Sequence, residues 1–521
     1  MARRRHIIDD EPRFPFPLAN VSNGEWCPRP PTQTQRTAAK LLREDADHHA
    51  RRLGMSRRDF LRTAAGTATA FMVLNKVHGL ASAGDTAVLP LTSTHCEDLE
   101  AGRTLLDQEF FIMDVQTHHA DLTLPYLDMN NPAYNPGFTT CLRFPVPGEP
   151  IVICTDAAIP LLSQENFVKE MFIDSETTVG VISGVPEGTI LPPETMAATR
   201  DLVNQLAGSE RALMQCMIDP KTAPGTVTAI DSMEHQVNDL GARALKCYTG
   251  VDSWWLDDEA VAYPMLEEAT RLGLRIINVH KGLGSILGPM AGDYVLSRDL
   301  PKVTADWPHL RFVAYHSGWD AVVGEGIDEF LNVLRGMPRR DRKRVYAEIG
   351  SAFALAFLQS PERAAHLMGQ LLQLLGSKNI IWGTDSIWWG SPQWQIDAFK
   401  ALEIPPAMQA EFGYPALTTA RKRRILGKNA ARLYKVKRGR RRFCNVPDVG
   451  SPSGAFLDDD GDDLLATGPS DPLYVPDNLD RIRAEQGGFR AGRSFRTYGP
   501  RTRREFLSFL RHGEDRLKAQ S

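Results

Sequence analysis

From about residue 105 to 435 the chain repeats one pattern: a short apolar run, a longer stretch of helical periodicity, then another apolar run. Eight such runs recur: "FFIMDVQ" (110–116), "TVGVISG" (178–184), "ALMQCMI" (212–218), "ARALKCY" (242–248), "RIINVH" (275–280), "RFVAYH" (311–316), "VYAEIG" (345–350) and "IIWGTD" (380–385). Their length and near-continuous apolarity suit strands buried on both faces. Between them, stretches such as "PETMAATRDLVNQLAG" and "PERAAHLMGQLLQLLG" carry helical spacing and end in Gly, which accepts the left-handed backbone of a helix C-terminus. Strands alternating with helices make a parallel sheet covered by helices, so the chain is predicted to be α/β, a (β/α)8 (TIM) barrel over residues 105–436. A doubly wound open sheet is the competing architecture; it calls for a Gly-rich phosphate loop after the first strand, where this chain has "MDVQTHH".

A barrel of that size leaves appendages on a 521-residue chain. The boundaries predicted are an N-terminal extension (1–55), a signal segment (56–84), the barrel (105–436), and a linker with a partly disordered C-terminal extension (437–521) that begins in a basic run. The first unit is interrupted by "LPYLDMNNPAYNPGFTTCLRFPVPGEP", a Pro- and Asn-rich excursion expected to lie over the catalytic face as a lid. A net charge of −4 argues against a nucleic-acid partner. Seven cysteines without a C-x-x-C indicate neither a zinc ribbon nor a disulfide framework.

Residues 56–84, "SRRDFLRTAAGTATAFMVLNKVHGLASAG", have a basic start, a mildly apolar middle and a small-x-small site at Ala81-Ser82-Ala83. "SRRDFLR" resembles the twin-arginine export motif, which implies the export machinery as a partner and a periplasmic or secreted protein. Gly66, Thr67 and Thr69 are expected to make a poor face for a soluble core. Two explanations compete for the residues before this segment, Met55 as the true start or a long n-region, and the helical pattern of "QRTAAKLLREDADHHARRLG" favours the extension as real polypeptide; a cytoplasmic protein is the alternative if residues 56–84 are retained.

In a parallel barrel the reactive side chains sit at the C-terminal strand ends. Those ends carry Gln116 and His118, Lys246, His280, His316, Glu348 and Asp385. Spacing by two places Gln116 and His118 on one strand face, able to reach one ion. A single strand-end histidine is ordinarily structural; histidines at three ends with an aspartate at the eighth point to a metal site.

Together, "MDVQTHH" in place of a D-x-H-x-H motif, "VHKG", "AYHSGW", "IIWGTD" and the closing "RILGKNAARLY" resemble the amidohydrolase superfamily, in the branch of aminocarboxymuconate semialdehyde and resorcylate-type decarboxylases. The resemblance implies one divalent ion, Zn or Mn, on His118, His280 and Asp385, with Gln116 at the position of the family's first histidine and His316 polarising or protonating substrate. An amide oxygen is a weaker ligand than imidazole, so Gln116 is the departure that matters. Lys246 is read as an anchor for a substrate carboxylate, or as a salt-bridge partner of Glu348 or Asp385, and Trp319 and Trp388 as an aromatic substrate wall. His119 is expected to pack on the opposite strand face.

The expected activity is metal-dependent hydrolysis of a small carboxylate-bearing or aromatic molecule through a metal-activated water, with Asp385 as base. Decarboxylation on the same site is the alternative, and a non-catalytic binding protein with a degenerate metal site the second. Hydrolysis leads because export would remove the protein from cytosolic catabolism. A homo-oligomer is left open.

Overall fold

The computed structural model describes residues 14–16, 18, 31–125, 162–185, 190–221, 226–251, 253–284, 292–320, 326–436 and 479–480. Every one of the eight apolar runs carries a strand: β1 Met113–Thr117, β2 Val179–Ile182, β3 Ala212–Met214 with β4 Cys216–Met217, β5 Leu245–Tyr248, β6 Ile276–Gly282, β7 Arg311–Trp319, β8 Val345–Glu348 and β9 Ile380–Ile381. The strands follow chain order in two parallel sheets, β1-β2-β3 and β4 through β9. One eight-stranded sheet was expected; the third run is divided at Gln215. The Gln215 N–H donates back to the Ile182 carbonyl, while the next N–H, of Cys216, donates forward to Ala244. At the other margin, the N–H groups of Val115, His118, Asp385 and Ile387 donate to the carbonyls of Trp382, Ser386, Gln116 and His118, linking β1 to the segment after β9.

One apolar cluster joins strand residues Met113, Val115, Val181, Leu213, Val313 and Ile381 to Ala430 and Tyr434 of the closing helix Asn429–Leu433 and its cap. That end is sealed by apolar packing, and the chemistry-bearing residues collect at the opposite, C-terminal strand ends. A second, larger cluster joins other strand residues, Ile277 and Phe312 among them, to the surrounding helices and takes in the N-terminal elements.

Those elements are five helices, α1 Gln33–Arg52, α2 Arg57–Phe60, α3 Ala64–His78, α4 Ser93–Glu97 and α5 Leu99–Leu106. Local chemistry starts them: Thr32 and Gln35 form a reciprocal capping box, Ser56 and Thr63 cap α2 and α3 by accepting from Asp59 and Gly66, and Asp98 caps α5. Gly79, at φ 66°, ends α3 in the left-handed conformation. The expectation that Gly66, Thr67 and Thr69 would make a poor core face is corrected: all three are buried. The reason is close packing with internal polar satisfaction. A Cβ on Gly66 would stand 2.7 Å from the Leu61 Cα, and the Thr69 hydroxyl donates to the Ala65 carbonyl at 2.8 Å.

The lid excursion lies outside the described residues from 126 onward, as does the C-terminal extension apart from Leu479, which is buried, and Asp480, which pairs with Arg211 at 3.3 Å. No helix among the described residues is long and apolar enough to cross a membrane.

Candidate active site at the C-terminal strand ends

The sequence-predicted residues Gln116, His118, His316 and Asp385 meet at one point, all fully buried. His118 donates from Nδ1 to the Ser183 carbonyl at 2.7 Å, which leaves the Nε2 lone pair facing the Asp385 carboxylate, 3.3 Å from Oδ1. His316 donates from Nδ1 to the Gly350 carbonyl at 2.8 Å, so its Nε2 also faces inward. The Gln116 amide nitrogen stands between them, donating to Asp385 Oδ1 at 3.0 Å and to His316 Nε2 at 3.3 Å. A register shift between Asp114 and Thr117 interrupts strict alternation along β1, and residues 116 and 118 both still reach Asp385.

His280 adjoins this group edge-on to His316, ring centroids 4.7 Å apart, and stacks on Tyr248 at 5.1 Å. Trp388 lies nearly parallel to the His118 ring at 5.9 Å. Lys246 is fully buried with its ammonium over the faces of Tyr315 (3.7 Å) and Tyr248 (4.3 Å), where ring quadrupoles stabilise a cation. Trp319 is buried at the end of β7, where its carbonyl accepts from the Leu283 N–H; it takes no part in the contacts joining His118 to Asp385. His119 points away, pairing its Nε2 with the Thr199 hydroxyl at 3.0 Å and packing on Phe167. Burial pushes its pKa down to about 4, so it packs as a neutral ring.

Three supporting groups surround this cluster; sequence reasoning placed Glu348 at its strand end but gave no role to Ser351 or Asp114. Ser351 donates its hydroxyl to Asp385 Oδ2 at 2.5 Å and accepts the Trp389 indole N–H at 2.9 Å, so a Trp–Ser–Asp chain fixes the carboxylate from behind. Asp114 accepts from the N–H groups of Gln116 and Thr384, each at 3.1 Å, and from the Thr384 hydroxyl, tying the first strand end to the last. Glu348 accepts from the His316 N–H at 2.9 Å and from the Gly350 N–H. Burial pushes the Asp114 carboxyl up to about 8 and that of Glu348 up to about 7. Asp114 could have been found from its spacing, two residues before Gln116; nothing local marks Ser351.

The backbone is strained at the same place. His316, Ser317, Ser351 and Asp385 all have positive φ, between 49° and 60°. Such conformations cost on the order of 1–3 kcal/mol each outside glycine and persist where surrounding structure over-determines them, commonly at functional sites.

The donor set bears on a divalent ion. His118 Nε2 and Gln116 Oε1 are buried acceptor atoms without a hydrogen-bond partner among the described residues, and both belong to side chains that contact Asp385. Two unsatisfied acceptors beside a buried carboxylate fit a cation better than an apolar void. Among the described residues no group of three or more His, Cys, Asp or Glu side chains is arranged to hold a metal, so the fit rests on His118 and Asp385 completed by the Gln116 amide.

Residues 184–436 match the family model Amidohydro_2: Amidohydrolase, which supports the amidohydrolase superfamily for that segment. The matched segment includes His280, His316, Glu348 and Asp385 and begins beyond Gln116 and His118. No curated protein matches the chain. Solved structures similar to it include 5-carboxyvanillate decarboxylase from Sphingomonas paucimobilis, 15% identical with a TM-score of 0.40, covering 63% of this chain and 100% of its own. A probable 2-pyrone-4,6-dicarboxylic acid hydrolase from Acinetobacter baumannii is 12% identical with a TM-score of 0.38, over 62% and 99%. 4-Oxalomesaconate hydratase from Rhodopseudomonas palustris is 18% identical with a TM-score of 0.38, over 62% and 96%.

Proposed function

We propose that the eight strand runs close into a (β/α)8 barrel and that the protein is a metal-dependent enzyme hydrolysing a small aromatic or carboxylate-bearing molecule at its C-terminal strand ends. The observation that carries the reading is the convergence of Gln116 and His118 on a single buried carboxylate, Asp385, with His316 joined to it through the Gln116 amide, where the backbone is also strained. The hydrogen bonds between β1 and the segment after β9 support closure.

His118, Asp385 and the Gln116 amide oxygen are the residues that would hold the ion, with His280 beside them. A divalent ion there supplies a Lewis acid that lowers the pKa of water to roughly 7. The side chains divide the remaining work. Asp385, held by Gln116 on Oδ1 and by Ser351 on Oδ2, accepts the proton lost by the attacking water, the step hydrolysis requires. His316 is fixed through Nδ1, so Nε2 is the atom turned to the substrate oxygen, and once it has taken up the proton that Asp385 removes from water it polarises that oxygen. Trp388 beside His118 offers a flat apolar wall to an aromatic ring, and Lys246, over the rings of Tyr315 and Tyr248, is the cation for a substrate carboxylate.

The test pairs elemental analysis of the purified protein with a screen of aryl lactones, amides and carboxylates, run on wild type and Asp385→Asn. Turnover of a lactone or amide by metal-loaded wild type, lost in the variant, is the expected result. Carbon dioxide release from an aryl carboxylate would replace hydrolysis by decarboxylation. Equal behaviour of the two proteins would sink the enzyme reading.

A further inference from the structure

The export-like segment is where local sequence and tertiary structure pull apart. A cleaved leader has to be separable from the folded body, since export and cleavage act on an accessible stretch. Arg57 and Arg58 meet that condition as exposed residues of α2, with Arg57 paired to Asp47 of α1 at 3.0 Å. The apolar stretch that follows does not. Ala65, Ala68, Phe71, Val73 and Leu74 of α3 are all buried, and α3 packs on α1, α4 and α5.

The contacts reach to both sides of the segment and onto the α/β body. Phe71 stacks on Phe16 at 5.7 Å and meets Phe357, on the helix Ala352–Gln359 that follows β8, edge-on at 5.6 Å. Downstream of Ala81-Ser82-Ala83, the Leu89 carbonyl accepts from the Asn75 side-chain amide at 2.9 Å, and the same amide also donates to the Ser82 hydroxyl at 3.1 Å. A Cβ on Gly102 of α5 would lie 2.7 Å from the Ala65 nitrogen, so α5 and α3 touch backbone to backbone. Cutting after Ala83 and losing α3 would bare Phe357 and the inner faces of α1 and α5, and would leave the Leu89 carbonyl without that donor.

We propose that residues 56–84 are retained in the folded protein, with α3 as the central helix of an N-terminal cap on the α/β body, and that Ala81-Ser82-Ala83 is not a processing site of the folded chain. The twin arginines then serve as surface residues of α2. This inference stands apart from the reaction assigned above.

The full chain, expressed in a bacterium with twin-arginine export, is purified as soluble protein and its peptides are mapped by mass spectrometry. The tryptic peptide Thr63–Lys76 is expected in the same molar amount as peptides of the barrel; a soluble product whose first residue lies near Gly84 overturns the proposal. Asn75→Leu is the second arm. It removes the donor to Leu89 and Ser82, so purified protein should melt about one to three degrees lower. Melting at the wild-type temperature would count against the retained helix.

Discussion

Replacing Ser351 with alanine isolates the support behind the central carboxylate. The hydroxyl makes two hydrogen bonds, donating to Asp385 Oδ2 at 2.5 Å and accepting from the Trp389 indole at 2.9 Å, with all three side chains buried. Alanine meets the same backbone penalty as serine at φ 49°, so strain drops out of the comparison. What remains is an orphaned buried indole N–H, costing about 1–3 kcal/mol, and a lost bond to a carboxylate, about 1.5–3 kcal/mol. Because one hydroxyl serves both partners and the site relaxes, a net loss of roughly 2–4 kcal/mol is expected, read as a lower urea midpoint with unchanged slope. Turnover should fall about 10- to 100-fold, as when an outer partner of a metal-site ligand is removed. Adding Trp389→Phe takes away the orphaned donor, so the double variant should be less destabilised than the sum of the singles by about 1 kcal/mol or more. Strict additivity, or a single variant within about 0.5 kcal/mol of wild type at full activity, would refute the Trp–Ser–Asp chain.

Gln116→His should raise zinc affinity by about tenfold or more in a chelator competition, since imidazole replaces an amide at the same strand position; unchanged affinity would remove residue 116 from the ligand set. Gly383→Ala should cost about 1–3 kcal/mol and most of the activity, because the added Cβ would overlap the Glu348 carboxylate and lie 3.1 Å from the Gln116 Cβ. A wild-type melting temperature there would contradict the packing. Lys422 tests pH dependence: burial pushes its ammonium down to about 8 from 10.5, with Nζ donating to the Lys400 carbonyl at 2.7 Å. The folded state therefore binds fewer protons than the unfolded state between those values. Stability should rise with pH across that window, by on the order of 3 kcal/mol in all, with the full penalty standing below about pH 8. In Lys422→Met that slope should vanish and Tm at pH 7 should rise; a slope that survives assigns the dependence to other groups.

The strand–helix alternation was legible because each buried strand reads as a short apolar run wherever it later pairs, and all eight runs carry strands. The chemistry-bearing residues were legible for a related reason. A parallel fold directs C-terminal strand ends to one side, so His118, His280, His316 and Asp385 could be expected together before any contact was seen. The division of the third run at Gln215 was not legible, because it depends on which neighbour each N–H faces.

By itself the sequence determined the parallel α/β class, the strand runs and the strand-end residues, since periodicity and order along the chain carry that information. Only tertiary structure decided how they are used. Ser351 and Trp389 lie 34 residues before and four residues after Asp385, and only folding makes them its support. Lys246 is framed by Tyr248, two residues on along β5, and by Tyr315 of β7, and the second of these pairings has no spacing to read. The segment that reads locally as an export signal shows the same limit. Its small and apolar residues suit a leader or a tightly packed helix equally well, and the contacts with Phe16, Gly102 and Phe357, distant in sequence, make it a packed helix.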